Sequence, residues 1–332
     1  MSGWIDRHPR QVPTEVPELD LGALPPGRHH LAVALTSDGM GQPVRAPVIV
    51  VKGAAGSGPV VGVTAAVHGN ELNGIPTIHR LMKTLDPANM KGAVLAVTVV
   101  NVPGYLRNER RFPDHTDLNR VMPGRDGGRE SSLYAHRLTE RVLGTLDVLV
   151  DLHTASFGLV NRLHVRADMR DPATARLART LGTEIIVHHE GVEGTLRTSL
   201  ADRGVRAVTV ELGDPQSIDR DKARDARIGI RDCLEGLGMV PPDAQEARRG
   251  AIECARSHWL HTDAGGFLEV TARLGARVAE GEVVATLVDP WGGLLRTYRA
   301  PKAGVVVSRS TNPVASSGAR ILHLGLEGRP GA

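Results

Sequence analysis

Apolar positions follow two different patterns along this 332-residue chain. Between about residues 59 and 213 they gather in short runs without polar alternation, "PVVGVTAAV", "GAVLAVTVVNV", "DVLVDLHT", "EIIVHH" and "RAVTVELG". Such runs suit parallel strands buried on both faces. Helical spacing separates them at about 71–85, 130–145, 172–182 and 218–237, and "NRLHVRAD" adds one more strand. Strands alternating with helices predict a doubly wound α/β sheet with mixed strand directions, whose ligands bind beyond the carboxyl ends of strands.

The flanks differ. Residues 1–28 are rich in proline and charge and read as an arm, and "HHLAVALTSDGMGQPVRAPVIVVKG" reads as a hairpin around Asp-Gly. The segment "NERRFPDHTDLNRVMPGRDGG" has no apolar period and is expected to be a loop, and "PPDAQEARRG" a linker. From about residue 251 short strands punctuated by glycine predict a small β-domain. The expected division is therefore an arm at 1–28, a catalytic domain at 29–240 and a β-rich domain at 251–328.

Composition narrows the partners. The net charge is only +3, the basic residues form no blocks, and aromatics make up 3% of the chain, which disfavours nucleic acid. Cys233 and Cys254 form no CxxC pair, the first residues lack an apolar signal core, and no uncharged apolar run approaches the roughly 20 residues of a membrane span. A reduced cytoplasmic protein without a membrane partner is expected, with a homo-oligomer as the common arrangement among enzymes.

Candidate chemistry sits at strand ends. "AAVHGNE" presents His68 and Glu71, "LVDLHT" presents Asp151 and His153, and "VTVELG" presents Glu211. Two imidazoles and a carboxylate, with a fourth position left for water, make a standard catalytic zinc set. The short His68 to Glu71 spacing is expected to place both side chains on one side of the first helical turn, with Gly69 allowing a tight turn. An isolated HxxE equally describes a histidine at a helix start beside a solvated acid, but a carboxylate buried at the end of an apolar strand needs a cation. Asp151 shares the side of the strand with His153, as a partner for its imidazole or simply as a strand-end acid. Glu211 is placed to act as general base or to be a surface acid.

Arg110, Arg111, Asn119 and Arg120 in the loop are donors suited to an anion or a polarised carbonyl, although a single arginine in so arginine-rich a chain is more often solvated. His164, His188, His189, His258 and His261 are rival ligands, of which adjacent His188 and His189 would point to opposite faces of a strand. "GAAGSGPV" lacks the Lys-Ser/Thr ending of a phosphate loop, and GxSxG, HExxH and GxGxxG are missing.

Taken in order, "HGNE", "DLNRVMPG", "DLHT" and "VELG" resemble the succinylglutamate desuccinylase/aspartoacylase family, relatives of the zinc carboxypeptidases, over roughly residues 30–325. The resemblance implies one Zn²⁺ held by His68, Glu71 and His153, with Glu211 as general base. It also implies that Asn119 and Arg120 grip a substrate carboxylate and that an arginine just upstream polarises the scissile carbonyl, Arg111 preferred over the adjacent Arg110. The implied fold is a zinc-carboxypeptidase-type sheet with a C-terminal domain resembling the biotinyl/lipoyl type. That domain lacks the carrier hairpin, and Lys302 in "APKAG" is off the carrier position, so a structural role is expected. The implied reaction is hydrolysis of the amide of a small N-acylated amino acid. The alternatives are a carboxypeptidase acting on peptide C-termini and an inactive binding protein.

Overall fold

The computed structural model describes residues 11–215, 217–245 and 250–329. Of the expected arm, residues 1–10 lie outside that range, as do 246–249 of the expected linker. β1 (Thr14–Val16) pairs in parallel with β2 (Gly27–Ser37), which forms the expected hairpin with β3 (Pro43–Lys52).

The five apolar runs all become strands of one sheet. β4 (Val60–Ala65), β5 (Ala93–Val97) and β6 (Val148–His153) are buried along almost their whole lengths, as parallel strands covered on both faces must be. "NRLHVRAD" does not form one strand: it splits into β7 (Leu159–Asn161) and β8 (His164–Ala167), which pair with different neighbours. β9 (Ile185–His188) and β10 (Arg206–Glu211) complete this region. Helices cover both faces. α1 (Gly74–Thr84) precedes the short α2 (Val102–Arg107), and α3 (Glu130–Leu138), α4 (Pro172–Thr180), α5 (Leu196–Ala201) and α6 (Arg220–Gly236) follow. Ile78, Leu177 and Ile230 of α1, α4 and α6 share one core layer, whereas Tyr134 and Leu200 of α3 and α5 lie in the other.

β11 (Ile252–His261) pairs in parallel with β9 and so extends the main sheet. β12 (Gly266–Val270), β13 (Arg277–Val278), β14 (Val283–Val288), β15 (Leu294–Arg299), β16 (Gly304–Ser310), β17 (Val314–Ala315) and β18 (Arg320–Glu327) follow. The main sheet runs β1-β2-β3-β5-β4-β6-β10-β8-β9-β11-β18-β16-β13, with β7 beside β16, while β15-β14-β12-β17 form a separate antiparallel sheet. Short glycine-rich strands are legible locally, but their pairing with β9 is a contact between distant segments. None of the described helices is long and apolar enough to cross a membrane.

Candidate metal centre and active site

β4, β6 and β10 are neighbours in parallel, so their carboxyl ends open on one edge of the sheet. Strand order therefore brings together His68, His153 and Glu211; in the β6–β10 register Glu211 lies directly opposite His153.

α1 starts at Gly74, three residues later than the periodicity suggests. His68 and Glu71 thus occupy the connection between strand and helix, and a turn in which the Glu71 amide donates to the His68 carbonyl at 3.0 Å brings their side chains together. The left-handed residue in this connection is Ala66, at φ 54°. Gly69 serves close approach instead: a Cβ there would sit 2.2 Å from the Gly104 carbonyl carbon and 2.3 Å from the Tyr105 nitrogen.

Glu71 is 1% exposed. Its Oε1 lies 2.9 Å from His68 Nδ1, and its Oε2 lies 3.0 Å from His153 Nδ1. Behind each ring a carboxylate faces the other nitrogen, Asp117 3.1 Å from His68 Nε2 and Asp151 2.8 Å from His153 Nε2. Thr64 Oγ1 donates to the second oxygen of Asp151 at 2.6 Å. Carboxylates in those positions fix the rings so that both Nδ1 atoms face Glu71. Burial works against ionisation of Glu71, but His68 and His153 outweigh it and hold its carboxyl well below the usual range. Burial likewise opposes a charged His153, and Asp151 with Glu71 overcomes it, raising the imidazole well above its ordinary value.

These residues fit a divalent metal. Among the described residues His68, Glu71 and His153 are the one group of histidine, cysteine and acid side chains whose ligand atoms converge, all within 4.8 Å. His68 Nδ1 is buried without a hydrogen-bond partner although Glu71 is close, as expected of two donors directed at a common point. Two nitrogens and one oxygen are the ligand types of catalytic zinc. The rival histidines do not join this group, although His189 borders the adjoining cavity. His188 Nδ1 accepts from the Met169 amide, and burial pushes His164 down to about 3 and His189 down to about 4.

The adjoining cavity has a volume of about 190 Å³. Glu211 borders it with Arg110, Asn119 and Arg120, and Arg111 does not. The Arg111 guanidinium donates to the His115 carbonyl at 3.3 Å, whereas Arg110 reaches Glu71 at 2.6 Å, Ser156 Oγ at 2.9 Å and Asp117 at 3.3 Å. Of the two adjacent arginines, Arg110 and not Arg111 borders the cavity. Asn119 Oδ1 accepts from the Leu196 amide at 2.7 Å, which fastens the loop to the start of α5.

Glu211 is buried, accepts from Asn161 Nδ2 at 2.8 Å and lies 3.4 Å from Arg166 Nε. Burial raises its pKa, with Arg166 and then His153 pulling the other way. Asn161, Arg166 and Asn73 carry no signal in the sequence that separates them from other polar residues, and Asp117 opens the "DLNR" motif without its contact with His68 being legible there. Asn73 joins two motifs: Nδ2 donates to the carbonyls of Leu212 at 2.8 Å and Asp214 at 3.2 Å, and Oδ1 accepts from the Asp219 amide at 2.9 Å.

Known proteins share this fold. The family model of the succinylglutamate desuccinylase/aspartoacylase catalytic domain matches residues 57–237. N-alpha-acetyl-L-2,4-diaminobutyric acid deacetylase of Halomonas elongata is 28% identical over 279 residues, 80% of this chain and 81% of that protein. Succinylglutamate desuccinylase of Pseudomonas paraeruginosa is 30% identical over 215 residues, 60% of this chain and 63% of that protein. The crystal structure of a succinylglutamate desuccinylase/aspartoacylase from Rhodobacter sphaeroides superposes with a TM-score of 0.83 at 25% identity, covering 94% of this chain and 98% of that one. The ectoine utilization protein EutE (DoeB) from Ruegeria pomeroyi, bound to product, gives 0.81 at 25% identity over 92% and 98%. With more than half of its length matched by the family's catalytic domain, the chain belongs to the succinylglutamate desuccinylase/aspartoacylase family.

Proposed function

We propose that this protein is a zinc-dependent deacylase that hydrolyses the amide bond of a small N-acylated amino acid. The observation that carries the reading is the convergence of His68, Glu71 and His153 beside a cavity bordered by the buried Glu211. The two curated relatives, a deacetylase and a desuccinylase by name, act on this type of bond, which supports the choice.

His68, Glu71 and His153 would hold the metal, and zinc at such a site supplies a Lewis acid that lowers the pKa of water from 15.7 to about 7. Glu211 accepts the proton of the attacking water; burial makes it a stronger proton acceptor than a solvated carboxylate. Arg110, beside Glu71 on the cavity wall, donates to the oxygen on which negative charge develops. Asn119 and Arg120 hold the substrate carboxylate, and this orients the amide towards Glu211. Glu211 then passes its proton to the departing amine, leaving a carboxylate and a free amino compound.

Two measurements test the proposal. Purified protein should contain about one zinc per chain, and His68→Ala combined with His153→Ala should contain none; full retention in the double variant would sink the site. In a panel of N-acetyl and N-succinyl amino acids against short peptides, turnover of the acylated amino acids is expected. Cleavage of peptides alone would make the protein a carboxypeptidase.

A further inference from the structure

A general base must present a lone pair to the attacking water, and the several rotatable bonds of a glutamate side chain give it many ways to miss. Backbone pairing fixes only the strand end, where Glu211 lies opposite His153 of β6 on one side and His164 of β8 on the other. The carboxylate itself is held from elsewhere. Asn161 Nδ2 donates to Oε2 at 2.8 Å, while Arg166 Nε lies 3.4 Å from Oε1. The Arg166 Nε–H is directed at His164 Nε2, so the donor aimed at the carboxylate is the Asn161 amide.

Asn161 owes its place to the C-terminal strands. β7 stands off the path of the main sheet and pairs with β16, Leu159 opposite Ser310, Val160 opposite Arg309 and Asn161 opposite Ser308. Two further bonds fasten its ends: the Arg162 amide donates to the Val307 carbonyl at 2.9 Å, and the Thr311 amide donates to the Gly158 carbonyl at 2.8 Å. Alternation turns Leu159 and Asn161 to one side of β7, and both border the cavity. Asn161 and Ser308 are buried. A buried amide on so short and so fastened a strand has little freedom to follow a carboxylate that swings away.

We propose that Asn161, held in place by β16, is a positioning residue that orients the Glu211 carboxylate for proton transfer. The C-terminal strands then act on the chemistry by bracing the base. This inference rests on the deacylase reading above, in which Glu211 accepts the proton of water.

Steady-state kinetics of the zinc-loaded full chain test it, with the N-acetyl or N-succinyl amino acid that the native protein turns over fastest. Asn161→Leu replaces the amide with an apolar group of similar size. It should lower kcat roughly 10- to 100-fold and leave KM and zinc content close to native. Asn161→Gln keeps the donor and should recover part of that loss. Asn161→Asp keeps the shape without the donor; it should lose turnover as Asn161→Leu does, and it replaces that variant if Asn161→Leu does not fold. In the Glu211→Gln background the same substitutions should cost nothing more, because a residue that acts through the base has no effect once the base is gone. A native kcat in the folded variants, a raised KM with kcat unchanged, or the full further loss in Glu211→Gln would overturn the assignment.

Crystal structures of the native protein and the variants give a readout independent of turnover. The Glu211 carboxylate should take one orientation in the native protein and another, or several, in Asn161→Leu and Asn161→Asp. An unmoved carboxylate in both would overturn the positioning role. A carboxylate that moves, in a protein that hydrolyses none of the acylated amino acids, would uphold the hold of Asn161 on Glu211 and overturn the deacylase reading.

Discussion

Asp151 and His153 stand two positions apart on β6, and Asp151 Oδ2 lies 2.8 Å from His153 Nε2. The pair turns the other ring nitrogen, Nδ1, towards Glu71. Alternation along a strand accounts for it, since residues i and i+2 project from the same face.

If that carboxylate orients the ligand, Asp151→Asn should weaken zinc binding by roughly 10- to 100-fold. Competition with a chromophoric chelator measures this. An unchanged affinity would reduce Asp151 to a strand-end acid held by Thr64. Asp117→Asn, which acts behind His68, should produce a loss of similar size.

Glu211 must be ionised to accept a proton, so activity should fall as pH drops through its pKa. Burial raises that pKa above the ordinary 4.5, and Arg166 is the first influence opposing the rise. Arg166→Gln should therefore move the acid limb of kcat/KM to higher pH; a limb that stays or moves down would separate Arg166 from Glu211. Glu211→Gln should keep its metal and lose roughly 100- to 10,000-fold in turnover.

Gly69 packs against the backbone of residues 104 and 105, and those atoms cannot swing aside as a long side chain would. Gly69→Ala should cost about 1–3 kcal/mol in a denaturation midpoint measurement and loosen metal binding, because the displaced turn carries His68 and Glu71. Native stability in this variant would show that the turn can shift freely.

Asn73 links the start of α1 to the segment after Glu211 through three hydrogen bonds. Asn73→Ala leaves a buried carbonyl and an amide without that partner, for an expected loss of about 2–3 kcal/mol. Turnover should fall with zinc content unchanged, since Glu211 shifts relative to ligands that remain in place. Metal analysis beside kinetics would detect the alternative, loss of zinc.

The legible part of the site consists of residues that end apolar runs. His68, Glu71, His153 and Glu211 each interrupt a stretch that must be buried, so each stands out against its surroundings. Asp117 and Arg110 belong to a loop without a period, where nothing local distinguishes the inward side chain from its neighbours. Adjacent Arg110 and Arg111 differ only in where the loop turns, and contacts with Ser156 and His115 determine that. The C-terminal strands were legible as strands, but their attachment to the main sheet was not, because pairing between β9 and β11 leaves no mark on either sequence.

By itself the sequence determined the alternation of strand and helix, the strand ends that carry chemistry and the types of the metal donors, because burial, periodicity and donor chemistry are properties of short segments. Tertiary structure decided which arginine borders the cavity, which carboxylates stand behind the imidazoles, and that Trp259 and Arg320 of the C-terminal strands reach the site. Those outcomes depend on how segments far apart in the chain pack against one another, and a single segment holds no record of its distant neighbours.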